Sequence, residues 1–236
     1  LLALRASAQK ILLEKKDTST FSYTVEAAPE WTNLFYRNSG WFGGDGIFSI
    51  PLSGVDKNNN DANDSTLLLF GDTFIGDVKD GQPLPGNIMV NNSIAYMHGN
   101  NPDTSQLHFY FKETKHATPE TIFVPRTSTS KKPQLFWLGD GFVNREKNNT
   151  LYIFGYKVER TGDGVFDFIE PAVSIIAVKD AGKPPFADHR QIETSLHINN
   201  ETLGEGNMGA GILVNTKWAG APNADGYVYV YGCIGQ

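Results

Sequence analysis

Two aspartates stand beside glycines and apolar runs, where a carboxylate must be either satisfied or put to chemical use. Asp45 lies between two glycines in the run Trp41 to Leu52, and Asp72 directly follows the apolar run Leu67 to Gly71. An acid in apolar surroundings costs free energy unless it is hydrogen-bonded, paired or part of a reaction. Glycoside hydrolysis requires two converging carboxylates, since one protonates the leaving oxygen and the other acts as base or nucleophile. We therefore expect Asp45 and Asp72 to be catalytic.

Three further acids belong to later copies of the same pattern. Asp140 occupies the position equivalent to Asp45, Glu170 opens a later strand, and Glu205 precedes a third Gly-x-Gly. We expect Asp140 to contact substrate, and Glu170 and Glu205 to join the catalytic carboxylates at one mouth. The alternative is structural, because aspartates beside glycine also accept hydrogen bonds from backbone amides in turns. The short hairpin after Asp140 favours that alternative there, whereas the apolar flanks of Asp45 and Asp72 favour function.

A recurring strand pattern positions these acids. The first copy predicts four strands, at Trp41 to Leu52, Leu67 to Phe74, Asn91 to His98 and Gln106 to Glu113. The same order restarts at Phe136 and again at Asn207. Repeated four-stranded units are typical of a β-propeller. The expected fold class is therefore all-β, a β-propeller of which about two and a half to three blades are present, and we expect the chain to be a fragment of a longer protein.

The predicted domain boundaries follow the repeats. Residues 1–40 are expected to hold an N-terminal helix over residues 1–16, followed by a leading strand and loop. A remnant of a leader sequence or a terminal arm is the alternative for residues 1–16. The propeller is expected over residues 41–236, with blade 1 at about 41–113, blade 2 at about 134–200 and a truncated blade 3 from about 205.

Composition excludes several classes of partner. The net charge is −6 and no basic run exceeds Lys131-Lys132, which argues against nucleic acid or an anionic membrane surface. No run approaches the roughly 20 apolar residues of a membrane span, so no transmembrane segment is expected. The single cysteine, Cys233, lies in an apolar run and is expected to be a buried thiol. No metal-ligand spacing or cofactor fingerprint is present, so we expect neither a metal nor a cofactor.

Three motifs in the first repeat resemble a known family. Trp-x-Gly-Gly-Asp-Gly at 41–46, Leu-Phe-Gly-Asp-Thr-Phe at 69–74 and Met-Val-Asn-Asn-Ser-Ile-Ala at 89–95 look like a five-bladed β-propeller family related to glycoside hydrolases. That family was long described only as a domain of unknown function, and some members are endo-D-arabinanases. The resemblance implies that Asp45 and Asp72 are the catalytic pair and that Asn92 is a polar contact in the same mouth. Trp41 is a candidate for stacking on a sugar, although core packing is the commoner fate of such a residue.

The expected function is that of a glycoside hydrolase-like protein, secreted, periplasmic or at the cell surface, that cleaves a polysaccharide such as the furanoside arabinan. A non-catalytic carbohydrate-binding propeller is the first alternative, since the same mouth would hold a glycan without cleaving it. A structural module of a surface complex is the second, and in that case the acids would serve only as turn residues.

Overall fold

The computed structural model describes residues 23–56, 63–164, 166–184, 186–202 and 204–235. The helix expected over residues 1–16 lies outside these ranges. The first described element is a short helix, α1 (Pro29–Thr32), continued by a 3-10 turn (Asn33–Phe35). This helical segment stands where a leading strand was expected before Ser39. Pro29 explains its start, because the fixed φ of proline suits the first turn of a helix.

The first repeat forms eight short strands. They are β1 (Ser39–Gly44), β2 (Phe48–Pro51), β3 (Ser65–Phe70), β4 (Thr73–Lys79), β5 (Gln82–Pro83), β6 (Ile88–Val90), β7 (Ser93–His98) and β8 (Leu107–Tyr110). One antiparallel sheet has the order β2-β3-β7-β8, and β4 pairs with β1, β5 and β6 in another. Each of the first two predicted strands is split, because the chain leaves the ladder at Asp45 and again at Asp72. The two predicted acids thus lie at two facing breaks.

The rest of the chain forms a two-stranded ribbon and two larger sheets. The strands are β9 (Lys112–Glu113), β10 (Pro119–Glu120), β11 (Leu135–Asn144), β12 (Thr150–Arg160), β13 (Phe168–Val178), β14 (His189–Glu193), β15 (His197–Asn200), β16 (Gly204–Asn215) and β17 (Tyr227–Gly235). The second sheet has the order β11-β12-β13-β14 and the third has β15-β16-β17, all antiparallel. The prediction of a mostly β chain built from several antiparallel sheets is confirmed.

The first long strand of each repeat lies next to its counterparts. Strand β11 packs against both β2 and β16. The register slips between Leu138 and Gly141 in β11 and between Met208 and Gly211 in β16, at the positions that correspond to the break at Asp45. The backbones approach so closely there that a Cβ on Gly139 would lie 2.5 Å from the carbonyl oxygen of Gly209.

Apolar side chains fill the space between the first two sheets. The fully buried members of this core include Leu67, Leu69, Ile94, Phe136 and Ile153. Each such side chain stabilises the fold by roughly 1.5–3 kcal/mol relative to an exposed position. A second cluster, which contains Leu34, Trp41 and Phe70, lies beneath the helical segment. Burial on both faces of the first sheet therefore fixes the breaks that carry the acids.

One buried cation ties the connector between the first two repeats to the second sheet. The Lys157 side chain is 1% exposed, and its Nζ donates to Thr127 Oγ1 at 2.6 Å and to Thr129 Oγ1 at 2.8 Å. It also lies 3.1 Å from Glu193 Oε1. Burial opposes ionisation of Glu193, but hydrogen bonds from Thr127, Thr129 and Lys157 outweigh it and lower the pKa of Glu193 to about 2.

Candidate active site

The two breaks in the first repeat hold Asp45 and Asp72 against each other. The Asp45 N–H donates to the Asp72 carbonyl at 3.2 Å, and the Gly71 N–H donates to the Asp45 carbonyl at 2.8 Å. The Asp45 carboxylate lies beside the α-carbon of Gly71, where any Cβ would overlap Asp45 Oδ1. Glycine at position 71 is therefore required for the carboxylate to occupy this place.

The surroundings of Asp45 disfavour its ionised form. Although the residue as a whole reaches solvent, packing beside Gly71 buries part of the carboxylate, and this burial raises the pKa of Asp45. The negative charge of Asp72 raises it further, while backbone hydrogen bonds oppose the shift. A carboxyl group that holds its proton more strongly than usual is suited to general-acid catalysis.

Asp72 is held in place from two sheets. Its Oδ1 accepts a 3.1 Å hydrogen bond from Trp137 Nε1 on β11 and a 3.3 Å hydrogen bond from Asn91 Nδ2, between β6 and β7. The neighbouring Thr73 is fully buried, and its hydroxyl bonds to the Gly71 carbonyl at 2.9 Å and to a buried serine of β7. Hydrogen bonds of Thr73 hold the turn that carries Asp72, and two donors hold the Asp72 carboxylate. The orientation of this carboxylate is therefore fixed.

Two aromatic residues of the second sheet, Trp137 and Tyr156, extend the site beyond Asp72. Trp137 and Tyr156 are cross-strand partners, and the Trp137 ring meets Phe168 edge-on at 4.6 Å. The Tyr156 hydroxyl is buried and has no hydrogen-bond partner among the described residues. Burial raises the pKa of Tyr156, and the charges of Glu170 and Asp140 add to the shift. Tyr156 therefore remains a neutral hydrogen-bond donor near Glu170 and Asp140.

A chain of polar contacts joins Glu170 to Glu205 across the second and third sheets. Asn207 Nδ2 donates to Glu170 Oε2 at 2.9 Å, and Asn207 Oδ1 lies 2.9 Å from His197 Nδ1. His197 Nε2 is 3.7 Å from Glu205 Oε1. The Glu205 side chain is 59% exposed, so its pairing with His197 contributes little stability. The structure thus groups Asp45 with Asp72 and Glu170 with Glu205, with Trp137 and Tyr156 between the two groups.

Asp140 binds backbone amides. Its Oδ1 accepts from the Gly141 N–H at 2.7 Å and its Oδ2 accepts from the Ile212 N–H of β16 at 3.1 Å. Burial raises the pKa of Asp140, and the charge of Asp56 adds to this effect, while the two amides oppose it. A polar cavity of about 100 Å³ lies beside it. These contacts match the structural alternative, in which Asp140 ties β11 to β16.

Two of the predicted substrate contacts lie in the interior. The Trp41 residue is 4% exposed and its ring stacks on Phe109 at 4.3 Å, so no free ring face is left for a sugar. Asn92 is fully buried, and its amide donates to the Phe123 and Phe136 carbonyls and accepts from the Phe123 N–H. Asn92 links the first sheet to the second through backbone groups alone, and the side chain that reaches Asp72 is its neighbour Asn91.

Sequence reasoning missed several residues of this site. The roles of Trp137 and Tyr156 could not be predicted, because pairing two repeats through Trp137 and Asp72 requires knowledge of how the sheets pack. Asn207 and His197 carry no motif, and their roles follow from the register that sets them opposite each other on β15 and β16. Asn91 had a detectable signal, since it stands beside Asn92 in the motif at 89–95.

Among the described residues, no group of three or more His, Cys, Asp or Glu side chains is arranged to hold a metal ion. No helix in the same part of the chain has the length and apolar character needed to cross a membrane.

Comparison with known proteins adds a fold relative and a family. A crystal structure from Bacteroides ovatus ATCC 8483, which carries the name "putative hydrolase", is similar with a TM-score of 0.52 and 16% sequence identity. The alignment covers 86% of this chain but 57% of that one, so the likeness concerns the fold of a part of the relative. No curated protein sequence matches the chain. The profile of a family described as a domain of unknown function, DUF5005, matches residues 29–236. Because this match spans most of the chain, the protein belongs to the DUF5005 family.

Proposed function

We propose that this protein is a glycoside hydrolase-like enzyme that cleaves a polysaccharide with Asp45 and Asp72 as its paired carboxylates. The observation that carries the proposal is the apposition of the two acids at facing breaks in the first repeat. The charge of Asp72 contributes to the raised pKa of Asp45, so the two groups sense each other. Two carboxyl groups whose surroundings give them different pKa values are typical of a catalytic acid and its base.

The surroundings of each acid assign its role. Asp45, with its raised pKa, protonates the glycosidic oxygen as the bond from that oxygen to the anomeric carbon breaks. Asp72, oriented by Trp137 and Asn91, acts as the base that takes a proton from water, or as the nucleophile. As the base, it activates the water whose oxygen bonds to the anomeric carbon; the leaving sugar keeps the proton from Asp45, and the proton on Asp72 returns to Asp45 through solvent. As the nucleophile, Asp72 first bonds to the anomeric carbon, and water then displaces it while Asp45 takes back a proton from that water.

The second acid group has a supporting role in this proposal. Glu170 is oriented by Asn207, and its charge acts on the buried Tyr156 hydroxyl, so we assign it the part of a third carboxylate that tunes the site. Glu205 contacts His197 at the exposed end of the same chain of contacts. Its effect reaches the site only through His197 and Asn207.

The proposed fold that frames this site is a β-propeller of the five-bladed type. In this arrangement the three sheets are successive blades, and β2, β11 and β16 line the axis. The packing of β11 against both β2 and β16 supports the arrangement, as do the register shifts in β11 and β16 at positions that correspond to the break before β2. On this proposal about two and a half to three blades are present in the chain.

The proposed substrate is a neutral furanoside polymer such as arabinan. The motifs at 41–46, 69–74 and 89–95 support it through their resemblance to arabinan-cleaving relatives, and the name of the similar Bacteroides structure supports hydrolysis. Because polysaccharides do not cross membranes unaided, the proposed location is secreted, periplasmic or at the cell surface.

The test is a hydrolysis assay of the protein on arabinan, arabinogalactan and xylan, with product release measured as reducing ends. Asp45→Asn and Asp72→Asn are each expected to lower kcat by at least 100-fold. Asp77→Asn is the matched control, because Asp77 is an exposed aspartate on β4 of the same repeat. Activity that persists in both site variants contradicts the assignment. Binding of the polymers without product release favours a carbohydrate-binding protein instead.

A further inference from the structure

An open apolar groove lies next to the chain segment that carries Asp45. Its volume is about 480 Å³, and it lies between the helical segment at residues 29–35 and strand β1. Trp31 and Tyr36 line one side, and Phe42, Gly43 and Ile47 line the other. This volume falls within the range of roughly 300–1,000 Å³ that is typical of small-ligand sites.

Large aromatic and aliphatic side chains of the groove are exposed to solvent. Tyr36 is 77% exposed and Ile47 is 54% exposed. The Phe42 ring stacks on Phe74 at 5.9 Å, and Phe74 is itself 43% exposed. A contiguous apolar patch of this kind on a soluble protein indicates a binding surface.

The groove adjoins the chain segment that carries the proposed catalytic acid. Gly44 and Ile47 both line it, and Asp45 lies between them in the chain. A ligand that reacts at Asp45 therefore has the groove close by, at the residues on either side of this acid.

The chemistry of the lining selects the ligand. Among the residues that the structure describes, none of the side chains that line the groove is charged. A polyanion would also meet the two carboxylates nearby and a net charge of −6. Aromatic rings offer apolar faces on which the C–H faces of a sugar can stack, while the hydroxyls of the sugar stay in water. A neutral sugar chain meets these conditions.

We propose that this groove binds the neutral sugar units next to the unit that reacts at Asp45, by stacking on Tyr36 and Phe42. The proposal rests on the proposed function and adds a subsite for a polymer of uncharged sugars. It predicts that long substrates gain affinity from the groove and that short ones do not. It also predicts that a uronic-acid polymer such as polygalacturonate is excluded.

Gly43 provides a direct test, because a Cβ at this position meets no atom of the described part of the chain within 4 Å. Gly43→Val therefore fills the groove without disturbing the packing, and Tyr36→Ala removes a stacking surface from its rim. Tyr227→Ala is the matched control, since Tyr227 is a 66% exposed tyrosine on β17, outside the groove. The measurements are binding of soluble arabinan and xylan by affinity gel electrophoresis, and hydrolysis of an aryl arabinofuranoside that is too short to reach the groove.

We expect Tyr36→Ala to weaken polymer binding by about tenfold, as for loss of one aromatic contact, and Gly43→Val to weaken it by a similar factor because the added side chain occupies the groove. Hydrolysis of the aryl glycoside and the behaviour of Tyr227→Ala should stay unchanged. Polymer binding that is equal in wild-type protein and in both groove variants overturns the proposal, as does the absence of polymer binding by wild-type protein. So does size-exclusion chromatography in which the groove variants turn a dimer into a monomer, because the groove would then bind a second copy. Groove-dependent binding without any hydrolysis would refute the catalytic assignment alone.

Discussion

Trp137 Nε1 of the second sheet donates a 3.1 Å hydrogen bond to Asp72 Oδ1 of the first sheet. This contact makes the position of one proposed catalytic carboxylate depend on how two sheets pack. Because the Trp137 ring also meets Phe168 edge-on at 4.6 Å, the indole cannot turn away without losing an aromatic contact. The orientation of Asp72 is therefore set by side chains from two repeats.

Trp137→Phe is expected to lower kcat roughly 10- to 100-fold, since a hydrogen bond to a charged group is worth about 1.5–3 kcal/mol. The phenylalanine ring keeps the contact with Phe168, so the melting temperature should change little. Steady-state kinetics on the polysaccharide that the wild-type protein cleaves, together with thermal unfolding, check both parts. Trp218→Phe, a half-buried tryptophan away from Asp72, is the control. Equal kcat in the two variants would show that the indole N–H does not orient the base.

Asp45→Asn is expected to stabilise the protein at pH 7 while it abolishes activity. The raised pKa of Asp45 means that its contribution to stability is fully present below pH 3.8, the value for the unfolded chain, and is lost as pH rises through the folded-state pKa. At pH 7 the ionised carboxylate therefore opposes folding, and asparagine removes this effect. Thermal unfolding at pH 7 and at pH 3 should show a gain that disappears at the lower pH. A loss of stability at pH 7 would mean that the ionised form is the one that the fold favours.

The two glutamates are expected to differ although one chain of contacts joins them. Glu170→Gln should lower kcat at least tenfold, because it removes a charge beside Tyr156. Glu205→Gln should leave kcat within about twofold, because its side chain is 59% exposed and acts only through His197. The measurement is kcat of the two variants and of wild-type protein by steady-state kinetics. Equal losses would place Glu205 at the reacting bond and require a different geometry.

The strand pattern and the order of elements were predictable because period-2 alternation and turn residues are local signals. The alignment of Asp45 with Asp140 pairs two residues at interruptions of strand pairing, since Asp45 lies in the break between β1 and β2 and Asp140 lies in the register shift of β11. Their contacts differ because Asp140 finds the Ile212 N–H within reach, whereas Asp45 lies beside Gly71. Sequence position alone could not distinguish these two surroundings.

Burial was the hardest property to predict. Trp41 is an aromatic residue in a Gly-rich motif and was a candidate for sugar stacking, but Phe109 from the fourth strand covers its ring. Cys233 lies in an apolar run, yet it is exposed on β17, which pairs only with β16 among the described residues. In both cases the outcome depends on which strand lies alongside, and that is a long-range property.

Glu193→Gln is expected to make the free energy of unfolding depend less on pH in the acid range. The pKa of Glu193 is lowered to about 2 from 4.5, so the ionised group stabilises the fold above pH 4.5 and this contribution is lost as pH falls toward 2. Urea unfolding should show wild-type protein losing stability between pH 5 and pH 3 more steeply than the variant. The variant should also be less stable at pH 7, because Lys157 keeps its threonine contacts but loses its counter-ion. Glu146→Gln, at an exposed turn, is the control. Parallel pH profiles would contradict the role of the ion pair.

Substitutions of the adjacent residues Asn91 and Asn92 are expected to affect different properties, kcat for Asn91 and stability for Asn92. Asn92→Leu leaves the buried Phe123 N–H and two carbonyls without their partner, so the free energy of unfolding should fall by roughly 2–4 kcal/mol. Asn91→Leu removes one donor from Asp72 in a half-buried position, so kcat should fall about tenfold with little change in stability. Urea denaturation and steady-state kinetics on both variants separate the two effects. If Asn92→Leu folded normally and lost only activity, Asn92 would belong to the site as the motif first suggested. If Asn91→Leu kept full activity, the donor pair on Asp72 would have no part in catalysis.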